Sequence, residues 1–369
     1  MKILTIFTGG TIGCLQGDNY GLDVNPETTK MLLNRYHKSR DDNLEFDTIS
    51  PFFSLSESHT TQEFATLINA IQKHLKEDHD GVIITHGTDT MPFAASAVAY
   101  ALPHAPVPIV FTGANYPLDD RRSNGFRNFF SAVDYIKSSQ KNAPKTGVYV
   151  VYENNHDRRT LIHLGTRLLE AEAFNDEFTS LGGIYFGEMV DGKFHRHQDR
   201  TNPSPAEINA PRPSNTRPNI SNFSDAIMLI FPYPGLRYDR YDAILEKTKP
   251  KAILHALYHS GSASVQTKKE SPYCLKQFIM RCKERGVAVY SCPSREKLMA
   301  EKYITANSLV EAGLIPLENI SLPAAITKVM FAYGCYKNQA DISAFLKQHI
   351  NFEFVDFRRV GYGKHHRKT

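Results

Sequence analysis

The chain has few cysteines, little net charge and no long apolar run, and each scarcity removes a class of protein. Its five cysteines, Cys14, Cys274, Cys282, Cys292 and Cys335, are odd in number, scattered and without a CxxC pair. That pattern offers neither a disulfide framework nor a metal site, and fits reduced thiols in a cytoplasmic protein. No stretch approaches the roughly 18 apolar residues of a membrane helix. The formal net charge is only +4, part of it in the terminal His365-His366-Arg367-Lys368-Thr369. A short basic tail of this kind is a solvated end, so nucleic acid is not an expected partner. There is no internal repeat and no low-complexity tract.

What is present reads as an ordinary soluble α/β protein. Of 369 residues 41% are hydrophobic and 22% charged, and the length favours two domains. Met1 to Phe7 carries one lysine and a short apolar run ahead of Gly9-Gly10, with no small-residue cleavage site, and reads as a first strand and not an export leader. Strand-like runs recur at Ile3 to Phe7, Gly81 to Thr85, Val107 to Thr112 and Gly147 to Tyr152, separated by helical patterns at Thr61 to Leu75 and Met91 to Leu102. Such alternation implies crossover units and a mostly parallel sheet flanked by helices. Five prolines between Pro203 and Pro218 mark a linker over residues 196–223, separating an N-terminal domain of residues 1–195 from a smaller α/β domain over 224–345. Residues 346–369 are expected to be a C-terminal extension.

Two segments at expected strand ends carry the chemistry. Thr8-Gly9-Gly10-Thr11-Ile12-Gly13 follows the first strand, and His86-Gly87-Thr88-Asp89-Thr90 follows the strand at Gly81 to Thr85. Ligands of parallel sheets gather at such carboxyl ends. A threonine hydroxyl attacks only beside a group that takes its proton and donors that stabilise the oxyanion. The glycines leave Thr11 near exposed backbone amides, and Asp89 adds a fixed negative charge beside Thr88. Taken singly, Gly-Gly-Thr also reads as a turn, and Asp89 or Thr90 as the N-cap of the following helix. The glycine spacing fits no dinucleotide or phosphate loop. His86 reads as a packed strand-end histidine.

In order and interval the two segments resemble the signature motifs of the bacterial-type asparaginase/glutaminase family, and the likeness runs on through Phe111-Thr112-Gly113-Ala114, Leu118 to Asn124 and Tyr233-Pro234-Gly235. The resemblance implies a cytoplasmic amidohydrolase that converts L-asparagine to L-aspartate and ammonia through a threonyl ester, without a metal or organic cofactor, as a homodimer or homotetramer. Its catalytic residues would be Thr11 as nucleophile, Tyr20 on a closing loop, Thr88, and Asp89 as the group that binds the substrate amine. Ser56 and Glu57 would hold the α-carboxylate and amine, a pair also like the archaeal tRNA-dependent amidotransferase subunit, and Gly10, Gly87 and Ala114 would give backbone contacts.

Two departures from the family pattern stand out. The family lysine that pairs with the second threonine and the aspartate has no counterpart: Leu169 or Glu170 occupies its place, and no lysine lies between Lys145 and Lys193. Arg167 is the nearest cation, suited to holding a charge network but not to acting as a base. Serines, with Ser262 foremost, replace the asparagine that the family directs at a neighbouring subunit. The polar run Asn154 to Arg159 reads as a solvated loop. The loss of the lysine also admits an amino-acid-binding homologue with little or no turnover. An amidotransferase subunit is the other alternative, disfavoured because the first motif begins at Thr8.

Overall fold

The computed structural model describes residues 1–16, 22–212, 221–265, 271–294 and 304–357. In chain order the first half comprises β1 (Lys2–Phe7), β2 (Cys14–Gln16), β3 (Leu22–Val24), α1 (Glu27–Ser39), β4 (Glu45–Ile49), α2 (Thr61–His74), β5 (Gly81–Thr85), α3 (Met91–Ala101), β6 (Ile109–Thr112), α4 (Gly125–Ser139), β7 (Val148–Glu153), β8 (Thr160–Leu164), β9 (Gly187–Val190) and β10 (Lys193–Arg196). The second half adds α5 (Pro205–Asn209), β11 (Ile227–Ile230), α6 (Asp239–Thr248), β12 (Ala252–Ala256), α7 (Leu275–Glu284), β13 (Ala288–Ser294), α8 (Ile304–Ala312), β14 (Leu314–Glu318), α9 (Leu322–Cys335) and α10 (Gln339–Lys347). The α/β architecture expected from the alternation is present, with a large sheet, flanking helices and a second, smaller parallel sheet.

The large sheet has eight strands in the order β10-β9-β8-β7-β6-β5-β1-β4. From β4 to β7 neighbours are parallel, whereas β8, β9 and β10 close the other edge antiparallel. β5 is buried at every position, as a strand covered on both faces must be. One core lies under α2 and α3 and another under α1 and α4. Chain order runs from β1 outward to β4 and then back across β1 to β5, so the direction of winding reverses beside β1. An open parallel sheet leaves a crevice for ligand at such a reversal, and the Thr11 and Thr88 segments emerge there.

The smaller sheet is parallel throughout, in the order β11-β12-β13-β14. Helix α9 packs on α3 of the large sheet and also against β11, β12 and β13. An apolar helix buried around most of its circumference, with Ala324, Ala325, Ile326, Val329 and Phe331 all inside, is what this double contact requires. The proline-rich stretch carries α5, opened by a reciprocal Ser204–Glu207 capping box, and Ile208 enters the core beneath α4.

α9 also buries a lysine. Lys328 Nζ meets Glu353 Oε1 at 2.5 Å with both side chains essentially excluded from solvent, and the same carboxylate accepts the backbone N–H of Ile350 and of Asn351. Burial pushes the Glu353 carboxyl up, but the Lys328 charge and these hydrogen bonds outweigh it and hold it below the ordinary glutamate value. A depressed carboxyl stabilises the fold fully above the unfolded-state value and loses that contribution as pH falls through the folded one. Glu353→Gln leaves Lys328 buried without its counter-charge, though still donating to the Gln348 carbonyl, an expected loss of about 3–5 kcal/mol in urea unfolding at neutral pH. Below the ordinary glutamate value the wild type is expected to lose stability steeply, and the difference between the two proteins to shrink.

Candidate functional site

Four loops meet at the carboxyl ends of β1, β4, β5 and β6. Gly9 bridges to Ser54, and the N–H of Gly10 donates to the Ser54 carbonyl at 2.9 Å. Thr8 ties β1 to β5 through its hydroxyl, 2.8 Å from the Thr85 carbonyl. Gly10 has φ +71°, in the left-handed region, and a Cβ there would lie 2.2 Å from Gly87 Cα. A Cβ on Gly87 would lie 2.3 Å from Ser56 Oγ. Gly10, Gly87 and Ser56 therefore touch through backbone or near-backbone atoms, which sets the two threonine segments side by side.

Thr11 opens a single 3-10 turn, Thr11–Gly13, and is half-buried. Thr88 is also half-buried; Gly113 lies against it, since a Cβ there would sit 3.5 Å from the Thr88 methyl. Ala114 follows directly and is buried, held in a loop whose Asn115 and Asn124 exchange backbone-to-side-chain hydrogen bonds of 2.9 and 3.0 Å. Ser56 is buried at the start of its own 3-10 turn, with Glu57 exposed next to it. Tyr20 lies outside the described residues.

Asp89 is exposed and does not cap α3. Thr90 occupies the N-cap position but makes no capping bond; its hydroxyl donates to the Ser56 carbonyl at 3.1 Å, tying the second threonine segment to the Ser56 turn. Desolvation, followed by the negative charges of Glu57 and Asp176, raises the Asp89 carboxyl above the ordinary aspartate value. Asp176 carries no functional signal of its own in the sequence. It reaches this region because Asn155 accepts from Asn115 Nδ2 at 2.6 Å and donates to the Asn175 carbonyl at 2.8 Å. The polar run at Asn154 is correspondingly not all solvated: Asn154 is buried and exchanges two hydrogen bonds with the Phe178 backbone.

His86 is packed, as its position suggested. Its Nδ1 lies 2.8 Å from the Gly87 carbonyl, and burial lowers its pKa to about 3. Arg167 is buried and points elsewhere, donating to the Phe352 carbonyl at 2.6 Å and the Thr201 carbonyl at 3.0 Å. Burial brings its pKa down to about 10, and the charges it feels are those of Glu353 and Asp199. Leu169 is bound through its N–H to the Thr179 carbonyl, and burial raises the Glu170 carboxyl. Ser262 pairs with Ser260, Oγ to Oγ, at 2.9 Å.

The Gly10 contact is backbone on backbone and has no side chain to yield. Gly10→Ala is expected to cost about 3 kcal/mol or more through overpacking and left-handed strain, with thermal unfolding as the measurement. Gly87→Ala meets the Ser56 side chain instead, so adding Ser56→Gly is expected to recover most of its lost stability.

Comparison with known proteins bears on the family and the fold. The sequence model of the family described as "Asparaginase, N-terminal" matches residues 2–202. L-asparaginase 1 of Escherichia coli (strain K12) is 25% identical over 362 residues, covering 96% of this chain and 98% of that protein. A glutamyl-tRNA(Gln) amidotransferase subunit of Haloquadratum walsbyi is 28% identical over 287 residues, 75% of this chain and 59% of that protein. The thermostable L-asparaginase from Thermococcus kodakarensis has the same fold, with a TM-score of 0.77 at 21% identity over 96% of this chain and all of that one. With strand-end threonine loops joined at Gly10 and Gly87 and a family match spanning more than half its length, the chain belongs to the asparaginase family of amidohydrolases.

Proposed function

We propose that the chain is an L-asparaginase whose nucleophile is Thr11. The observation that carries this reading is the Gly10–Gly87–Ser56 contact, which brings Thr11, Thr88, Asp89, Ser56 and Glu57 to one crevice at the winding reversal of the large sheet. Thr11 Oγ attacks the side-chain amide carbon of asparagine, and its proton passes to the departing nitrogen, so that ammonia leaves and a threonyl ester remains. Water then cleaves the ester to give aspartate and restore the hydroxyl. Tyr20 and the Thr88/Asp89 pair manage protons and charge. Gly10, Gly87 and Ala114 place backbone groups around the substrate, Ser56 holds its carboxylate, and Asp89 with Glu57 holds its ammonium.

The catalytic residues in this reading all belong to the proposed N-terminal domain, residues 1–195, with 196–223 as linker, 224–345 as the smaller domain and 346–369 as an extension. The family resemblance supports a homodimer or homotetramer. Five free, buried cysteines suit a cytoplasmic enzyme, and among the described residues no helix is long and apolar enough to cross a membrane. The second reading, an amidotransferase subunit, draws on the likeness to the Haloquadratum protein, of which the chain spans 59%.

Thr11→Ala is expected to reduce ammonia release from L-asparagine by roughly 10³-fold or more, as for other single removals of an essential nucleophile. Tight asparagine binding with no release by the wild type would sink the enzyme reading in favour of a binding homologue. Release only in the presence of a partner subunit and tRNA would favour the amidotransferase. Asp89 must be ionised to hold the ammonium, and its carboxyl lies above the ordinary aspartate value. The acid limb of kcat/KM is therefore expected above that value, and Glu57→Gln is expected to move it to lower pH.

A further inference from the structure

The turn that carries Thr11 has little of its own to hold it. It is one 3-10 turn with no side-chain cap, and it runs into β2, which among the described residues pairs only with β3 in a two-stranded ribbon belonging to neither sheet. Such a ribbon is at best marginally stable alone in water. Gly10, whose missing Cβ lets the two threonine segments touch, also leaves the peptide between Gly10 and Thr11 free to swing.

Two side chains supply what the ribbon lacks. The Cys14 thiol, fully buried, donates to the Gly10 carbonyl at 3.3 Å, and the same carbonyl accepts the Gly13 N–H at 2.8 Å. Two donors on one oxygen fix the plane of the Gly10–Thr11 peptide and with it the direction of the Thr11 N–H. At the far end of β2, the Gln16 N–H donates to both oxygens of Asp119, at 3.0 and 3.2 Å. Asp119 comes from the loop after β6, and that loop is braced: Ser123 Oγ donates to the Tyr116 carbonyl at 2.8 Å, and Asn124 is tied to Asn115. β2 is thus fastened to the nucleophile turn at one end and to the Ala114 loop at the other.

We propose that Asp119 and Cys14 are positioning residues for the nucleophile, clamping β2 at both ends so that Thr11 keeps its register with the loops from β5 and β6. Neither touches the reacting atoms. The inference rests on Thr11 as nucleophile, where a displacement of about 1 Å costs up to 10²-fold in rate.

The test compares Asp119→Ala, Asp119→Asn, Cys14→Ala and Cys14→Ser in ammonia release from asparagine and in amide hydrogen exchange over residues 10–16. Asp119 is exposed, so its variants are expected to fold as the wild type does. Asp119→Ala is expected to lower kcat about tenfold with KM within about twofold, and to raise exchange over residues 10–16. Asp119→Asn retains an acceptor oxygen and is expected to keep at least about half of the wild-type kcat and its protection. Cys14→Ser, which keeps a donor, is expected to lie closer to wild type than Cys14→Ala. Wild-type kcat in Asp119→Ala, equal losses in Asp119→Ala and Asp119→Asn, or unchanged exchange in Asp119→Ala would each overturn the proposal. Faster exchange in Asp119→Ala together with a wild type that releases no ammonia would support the clamp and count against the Thr11 reading.

Discussion

The close approach of Gly10 to Gly87 is the constraint on which the site depends. A Cβ on Gly10 would fall 2.2 Å from Gly87 Cα, well inside any non-bonded contact, so the two loops meet only because neither residue has a side chain. The meeting is enforced from below: Thr8 and Thr85 share a hydrogen bond at the ends of β1 and β5, which are adjacent in the sheet. It is enforced from the side by Ser54, which bonds to both Thr8 and Gly10, and by Thr90, which reaches across to Ser56. Strand adjacency delivers the loops to the same place, and the glycines let the two threonine segments lie side by side.

That part of the molecule was legible because its signals are local. Buried parallel strands such as Gly81–Thr85 appear as continuous apolar runs, and Gly-Gly after a strand announces a turn that other residues resist. The helices at Thr61 and Met91 begin where the apolar period and the residues preceding it suggested. Less legible was anything settled by a distant partner. The strands β8 to β10, toward one edge of the sheet, are antiparallel and mix His163, Glu188 and Arg196 with apolar residues, so no run stands out. Lys328 in an apolar helix makes sense only with Glu353 opposite it. Asp89 and Thr90 look like caps in sequence, yet Thr90 spends its hydroxyl on Ser56, a choice made by the packing of β4 and β5 loops.

The charge pattern follows the same logic. With Leu169 or Glu170 in the lysine's place, desolvation and then the negative charges of Glu57 and Asp176 raise the Asp89 carboxyl. A ligand ammonium beside Asp89 would offset the repulsion between the carboxylates, whereas a neutral amide without one would not. In the proposed reading, binding of a substrate amine would gain more here than beside a compensating lysine, and the ionisation state of Asp89 would be tied to occupancy of the site.

Arg167 does not fill the gap because the C-terminal segment claims it. Residues 350–355 run across the base of the loop that follows β8: Thr166 donates to the Asn351 carbonyl at 2.8 Å, Arg167 to that of Phe352, and Ser321 at the start of α9 to that of Thr166. The buried Lys328–Glu353 pair fastens this segment to α9, which itself packs between α3 and the smaller sheet. Pulling the guanidinium out toward Asp89 would strand two buried carbonyls and leave a cation without its hydrogen bonds, a cost of several kcal/mol. Residues nearly two hundred positions apart in the chain thereby fix where the Arg167 guanidinium lies.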